Sequence, residues 1–202
     1  MKELVIAAYN RDYSWVDELP RNIKITVYKK GDLPPSPNEI IIYPNVGRDV
    51  HTFFYHLYTQ YFNLSEITFF SQDFPFDHVA NYKEIIAGDI NTWKNFARQQ
   101  NSGFWIFQNN PNLFSCDQSG LPHDRKGLKL KQMWENLFTS PCPSTIQFTP
   151  AGHFAVSKEQ VHKLPRDYYK RIVDMLITQH LAPWEIERME AYIFLGKEPA
   201  KI

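Results

Sequence analysis

Residues 40–78 decide the fold. They open with IIIYPNVGRDVHTFF (40–54), run on to Tyr61, and close with the segment ITFFSQDFPFDHV (67–79). Ile40, Ile41 and Ile42 form a β-branched run suited to a pleated strand. Pro44, Asn45, Val46 and Gly47 make a turn. Asp49 to Tyr61 sets Phe53, Phe54, Leu57, Tyr58 and Tyr61 at helical spacing. Ile67–Phe70 is a further apolar strand, and it opens into Ser71, Gln72, Asp73, Asp77 and His78. Strand, turn, helix, strand and carboxylate loop is how open α/β folds build sites outside the carboxyl ends of their strands. This order places Asn45, Arg48, Asp49, Asp73 and Asp77 at one edge of one sheet.

Working outward, Leu4–Ala8 reads as a first strand that ends in the polar turn Tyr9-Asn10-Arg11-Asp12. A short helical turn is expected at Ser14–Leu19 and a strand at Ile23–Tyr28. The Gly and three prolines of residues 29–38 make a loop. Past His78, helices are expected at Tyr82–Ala87, Ile90–Phe96 and Leu128–Phe138, then at Asp167–Gln179 and Trp184–Phe194. Strands are expected at Phe104–Phe107, Thr145–Phe148 and His153–Val156, and a long surface loop at Asn109–Gly127. Ser157-Lys158-Glu159-Gln160 has the Ser-x-x-Gln form of a capping box. Alternating strands and helices predict an α/β class with a mostly parallel, right-handed central sheet. The expectation is a single domain over residues 1–202, with residues 1–100 as its ligand-binding half.

Composition narrows the classes. With 22 basic and 22 acidic residues the formal charge is zero, whereas a nucleic-acid binder usually shows a basic excess. Cys116 and Cys142 are far apart with no CxxC, which supports neither a zinc site nor a disulfide framework. The apolar run after Met1 is too short for a signal peptide. No stretch approaches the roughly 18 apolar residues of a membrane span. A soluble, cytoplasmic protein is expected. Aromatic residues make up 15% of the chain, fitting an aromatic-rich core or a ligand cleft.

Two segments offer chemistry. In Asn45-Val46-Gly47-Arg48-Asp49, Gly47 permits close backbone approach and the helix start favours anions. Arg48 presents a planar fork to phosphate or carboxylate, and Asp49 either caps the helix or holds a ribose hydroxyl. In the second segment, Asp73 and Asp77, with His78 as a third ligand, have the oxygen chemistry of a Mg²⁺ or Mn²⁺ site. The plainer reading is a solvated turn anchored by Phe74 and Phe76. His153, beside Gly152 at a strand start, either faces a cleft or fills the core. Glu185, Glu187 and Glu190 on one late helix read as a solvated acidic face, with a general base as the sharper alternative. There is no Walker loop, no Gly-x-Gly-x-x-Gly and no Gly-x-Ser-x-Gly elbow. His51 and His56 are five apart, the wrong spacing for a helical metal pair.

Taken together, AAYNRDYSWV (7–16), YPNVGRDVHTFFYHL (43–57), ITFFSQDFPFDH (67–78), AGHFAVSKEQV (151–161) and WEIERMEAYIF (184–194) resemble an uncharacterised family of fungi and bacteria, domain-of-unknown-function family 3431. That family is similar to glycosyltransferases of the GT-A fold, and NVGRD also resembles a motif of rhamnan-synthesis glycosyltransferases. The resemblance implies a nucleotide-sugar donor, UDP-linked by preference, and a glycan acceptor. It implies that Tyr9, Asn10 and Asp12 contact base or ribose. Arg48 would meet the diphosphate, with Asn45, Gly47, Asp49, Gln72 and Asp73 around it. Asp77, Asp73 and His78 would hold Mn²⁺ or Mg²⁺, although no strict Asp-x-Asp follows the strand. His153 and Gly152 would border the acceptor, and Glu187 would deprotonate its hydroxyl. The alternatives are a non-catalytic sugar or nucleotide-binding module of a larger carbohydrate-assembly protein and, last, a phosphodiester hydrolase.

Overall fold

In β1 (Lys2–Ala8) every residue from Leu4 to Ala8 is buried, the signature of a central strand covered on both faces. The computed structural model describes residues 1–31, 39–42, 45–122, 127–150, 153–196 and 200–201. A short 3₁₀ turn at Ser14–Glu18 leads into β2 (Ile23–Lys29) and then β3 (Glu39–Ile41). The chain returns through α1 (Arg48–Thr59) to β4 (Ile67–Gln72). Next come α2 (Tyr82–Ala87), α3 (Ile90–Phe96), β5 (Ala97–Gln100), β6 (Phe104–Phe107) and β7 (Phe114–Asp117). Then follow α4 (Leu130–Leu137), β8 (Thr145–Phe148), β9 (Phe154–Ser157) and α5 (Lys158–Val161). The described chain closes with α6 (Arg166–Thr178), α7 (Ala182–Glu187) and α8 (Glu190–Leu195).

The seven-stranded sheet has the order β3-β2-β1-β4-β9-β6-β5. Its β3-β2-β1-β4 half is parallel, with Leu4 registered between Ile25 and Phe69. The chain lays β2 and β3 on one side of β1, then crosses back to add β4 on the other. A topological switch point therefore lies between β1 and β4. β9 pairs antiparallel with β4 and β6, and β5 antiparallel with β6. β7 and β8 form a separate ribbon. The result is a single mixed α/β domain with a large, mostly parallel central sheet.

Two apolar cores flank the sheet. Phe53, Phe54, Phe70, Phe104, Phe154, Tyr169 and Phe194 belong to the one that seats α1, α6 and α8. Leu4, Ile6, Phe69, Tyr82, Ile85, Trp93 and Trp105 belong to the other, under α2 and α3. Ser157 caps α5, its hydroxyl accepting from the Gln160 N–H at 3.1 Å, as the capping-box pattern predicts.

One strand was not expected and two expectations are corrected. The polar segment Ala97–Gln100 is an edge strand, held by pairing with β6 rather than by apolar alternation. The expected loop after Asn109 contains β7, whose partner β8 lies far along the chain. The expected Trp184–Phe194 helix is two helices. At the break, the Arg188 guanidinium donates to the Trp184 carbonyl at 2.8 Å, the acceptor that an unbroken helix would offer to the Arg188 N–H.

Candidate ligand-binding cleft

A cleft of about 670 Å³ opens at the carboxyl ends of β1 and β4, over the switch point. Ala7, Ala8 and Tyr9 form part of its floor with Gln72 and Asp73; the two alanines leave room where larger side chains would fill it. One wall is the Asn45–Asp49 turn. The other is the corner between α6 and α7, from Leu176 to His180 with Pro183 and Trp184. Lys30, just past β2, completes the lining.

The Asn45–Asp49 wall depends on left-handed backbone. Gly47 has φ +72°, and Arg48 follows at +55°. A Cβ on Gly47 would lie 2.6 Å from the His51 Cβ and 3.0 Å from the Leu176 carbonyl, so α6 presses on the turn. This turn starts α1 with Gly47 as its N-cap, and the first N–H groups of a helix lack intrahelical acceptors. Asp49 is thus not the cap. Its carboxylate accepts from the Gln72 side-chain amide at 2.6 Å, tying α1 to the end of β4. The exposed Arg48 guanidinium stands 5.2 Å from the centre of the Trp184 ring, a cation–π placement.

Lys30 is 7% exposed, and its ammonium donates to the Val46 and Arg48 carbonyls at 2.7 and 2.6 Å. Burial lowers its pKa to about 7, opposed by the negative charge of Asp49. On the next turn of α1, His51 is 1% exposed and stacks on Tyr55, and among the described residues neither ring nitrogen has a hydrogen-bond partner. Burial, then the nearby Lys30 charge, lower its pKa to about 3.

The Asp73–His78 loop differs from the expected metal site. Asp73 accepts the N–H groups of Tyr9 and Arg11 on one oxygen and of Phe74 on the other, each at 3.0 Å. Its carbonyl accepts from the Trp15 indole at 2.8 Å. Asp73 is therefore the brace that folds the Tyr9–Arg11 turn. Asp77 is exposed and pairs with Arg11 at 2.7 Å, a hydrogen bond that keeps its carboxyl below the usual range. His78 turns toward His153, with ring centres 5.8 Å apart. Among the described residues no three His, Cys, Asp or Glu side chains converge on a point where they could hold a metal ion. A divalent cation at Asp73, Asp77 and His78 would have to displace these internal donors.

The remaining candidates divide. Tyr9, Asn45, Gly47, Arg48, Asp49, Gln72 and Asp73 all line the cleft. Asn10 and Asp12 lie in the adjoining turn. The Asn10 side chain touches Gly31, where a Cβ would come within 2.2 Å of its Oδ1, and Asp12 accepts from Ser14 at 2.8 Å. His153 is fully buried, its ring packed between Tyr82 at the start of α2 and His78, and it does not line the cleft. Gly152 lies outside the described residues. The late helix is not a solvated acidic face. Glu185 is buried and accepts from the Lys129 N–H at 2.6 Å. Glu190 is wholly buried, and desolvation, reinforced by Glu187 and Asp49, raises its pKa well above normal. Glu187 lies 3.7 Å from Arg188 and is absent from the cleft lining. Lys30, His180 and Trp184 were not singled out for the cleft in the sequence. Lys30 and His180 lie in none of the segments that carry the resemblance, and Trp184 opens WEIERMEAYIF, where the glutamates drew the reading.

Fold and cleft together define a mixed α/β domain with an open cleft at a topological switch point. The chain matches, over residues 4–199, the family described as "Protein of unknown function (DUF3431)", and it belongs to that family. Comparison with curated proteins gives no match. Among the described residues no helix is long and apolar enough to cross a membrane.

Proposed function

We propose that the cleft binds a nucleoside diphosphate sugar, UDP-linked by preference, and that the protein is a glycosyltransferase on a GT-A-like plan acting on a glycan hydroxyl. One observation carries the reading. Two cations, Lys30 and Arg48, and the start of α1 converge at the carboxyl ends of β1 and β4. That set suits a diphosphate. The volume falls within the roughly 300–1,000 Å³ usual for small-ligand sites. Tyr9 and Trp184 offer aromatic faces for a base, and Asp49 and Gln72 offer polar groups to sugar hydroxyls.

In this reading Lys30 and Arg48 stabilise the charge that develops on the departing diphosphate, the role of preorganised cations in transfer reactions. Asp49, as a cleft-lining carboxylate, is a better candidate than Glu187 for accepting the acceptor's proton. Mn²⁺ or Mg²⁺ at Asp73, Asp77 and His78 would neutralise the diphosphate at the expense of the internal donors those aspartates now hold; the roles of Lys30, Arg48 and Asp49 need no metal. The engagement of Asp73 and Asp77 by internal donors favours the second reading, a binding module without transfer.

Thermal unfolding with UDP-, GDP- and dTDP-sugars, each with and without Mn²⁺, tests both. A donor at a hundredfold excess over its Kd stabilises by about 2.7 kcal/mol. No stabilisation by any donor, with or without metal, sinks the nucleotide-sugar reading. Stabilisation without sugar transfer or donor hydrolysis selects the module.

A further inference from the structure

We propose that Lys30 is the anion-binding residue of the cleft and that its amine takes up a proton when the anion binds. The geometry of its two hydrogen bonds is the basis. Lys30 reaches the Val46 and Arg48 carbonyls at 2.7 and 2.6 Å. Two acceptors satisfy the two N–H bonds of a neutral amine. An ammonium has three, and the third finds no acceptor among the described residues. Both partners are carbonyl dipoles rather than carboxylates, and the side chain is 93% removed from water, since only 7% is exposed. The two short bonds suit an ammonium, but one held out of water against dipoles alone carries a desolvation cost and lacks one acceptor. A phosphate oxygen in the cleft supplies that acceptor together with the opposing charge.

The neighbours agree. From α1, Asp49 favours the charged amine, and the Arg48 guanidinium is turned toward the Trp184 ring. His51 is held neutral by burial and does not compete for the proton. From the β1 loop, the Tyr9 carbonyl is already taken by Lys29. At the end of β4, the Asp73 oxygens serve the Tyr9, Arg11 and Phe74 N–H groups. His180 contributes from the α6–α7 corner. Burial, the larger cause, lowers the free Lys30 pKa to about 7. Below that pH the amine is charged with or without ligand, and binding takes up no proton at Lys30. Above it, uptake rises toward about one proton per anion, and affinity falls about tenfold per pH unit. The inference rests on the proposed function only in choosing UDP as a probe.

Calorimetric titration of the full chain with UDP and with inorganic pyrophosphate, at pH 8 in buffers of different ionisation heat, reads the uptake directly. The expected result is close to one proton (about 0.9 by linkage) taken up by the protein per UDP. Lys30→Arg, charged throughout, should bind without that uptake, and Lys30→Met should bind at least about tenfold more weakly. Because either variant can perturb a buried site, ¹³C NMR of the lysine ε-carbons in the unaltered protein gives a second readout. One lysine should titrate near neutrality when free and stay charged when UDP is saturating. UDP binding with buffer-independent heat and no such lysine overturns the inference but leaves the nucleotide reading standing. Pyrophosphate binding with Lys30-dependent uptake, while UDP fails to bind, supports the inference and removes the nucleotide reading. Failure of both anions to bind overturns the inference.

Discussion

A methyl group on Gly47 would lie 2.6 Å from the His51 Cβ on backbone with φ +72°, so Gly47→Ala meets both a clash and a conformational penalty. Strain of this kind costs about 1–3 kcal/mol. A fall of that size in the urea-unfolding free energy, with weakened ligand binding, is the expected outcome; an unchanged midpoint would show that the turn relaxes freely. Asp73→Ala leaves the Tyr9 and Arg11 N–H groups without their acceptor. It should cost about 1–3 kcal/mol and loosen the Tyr9–Arg11 turn, read as faster hydrogen exchange at those two amides. Arg48, Asp49 and Asp73, read from the sequence as one edge of the sheet, do line one cleft together with Gln72, because they follow the strands in chain order. The residue-level reading missed Lys30, because two lysines ahead of a glycine-containing loop look like a solvated turn, yet Lys29 and Lys30 are each 7% exposed. It misjudged Glu190 for the opposite reason, since nothing local says that a helical glutamate will be wholly buried.

At the scale of elements, α1 brings two histidines into the interior. His51 and His56 are 1% and 0% exposed. Burial holds both pKa values below the usual 6.5, that of His51 at about 3, while Glu3 opposes the shift at His56. Both side chains are thus neutral in the folded protein near neutral pH. Above pH 6.5 they are neutral in the unfolded chain too, and stability is independent of them. As pH falls below 6.5 the unfolded chain binds protons that the fold refuses, so stability is lost by about 1.4 kcal/mol per pH unit for each histidine. Glu190, whose pKa the fold raises, works in the opposite direction above its unfolded value, so urea unfolding between pH 7 and 4.5 should show the histidine loss less that opposing contribution, and His51→Phe should remove about half of the histidine part. An equal slope in the variant would put the acid sensitivity elsewhere. Helices and strands with strong apolar periodicity were legible in the sequence. β5 and β7 were not, because their pairing depends on a partner strand rather than on their own pattern. The break between α7 and α8 was hidden too, because it is made by a buried arginine side chain.

For the whole molecule, the sheet sets the unit of folding. β9 and β6, both beyond residue 100, pair into the sheet beside β4, so the first hundred residues lack the cover of their own central strands. A fragment of residues 1–100 should therefore show no cooperative unfolding transition by far-UV circular dichroism, while the full chain unfolds in one. The parallel half of the sheet was legible from strand–helix alternation, but the strand order that makes the switch point and the antiparallel return of β9 were not, since order along the chain does not reveal which strands pair or in which direction. The tryptophans are divided in a useful way. Trp15, Trp93, Trp105 and Trp134 are buried in the cores at 7%, 5%, 1% and 0% exposure, whereas Trp184 is only half-buried and lines the cleft beside Arg48. Four of the five indoles thus supply a steady background, and the fifth sits where a ligand arrives. Occupancy of the cleft should be visible as a change in intrinsic emission, and Trp184→Phe should silence it, giving the protein its own optical gauge of binding without any added label.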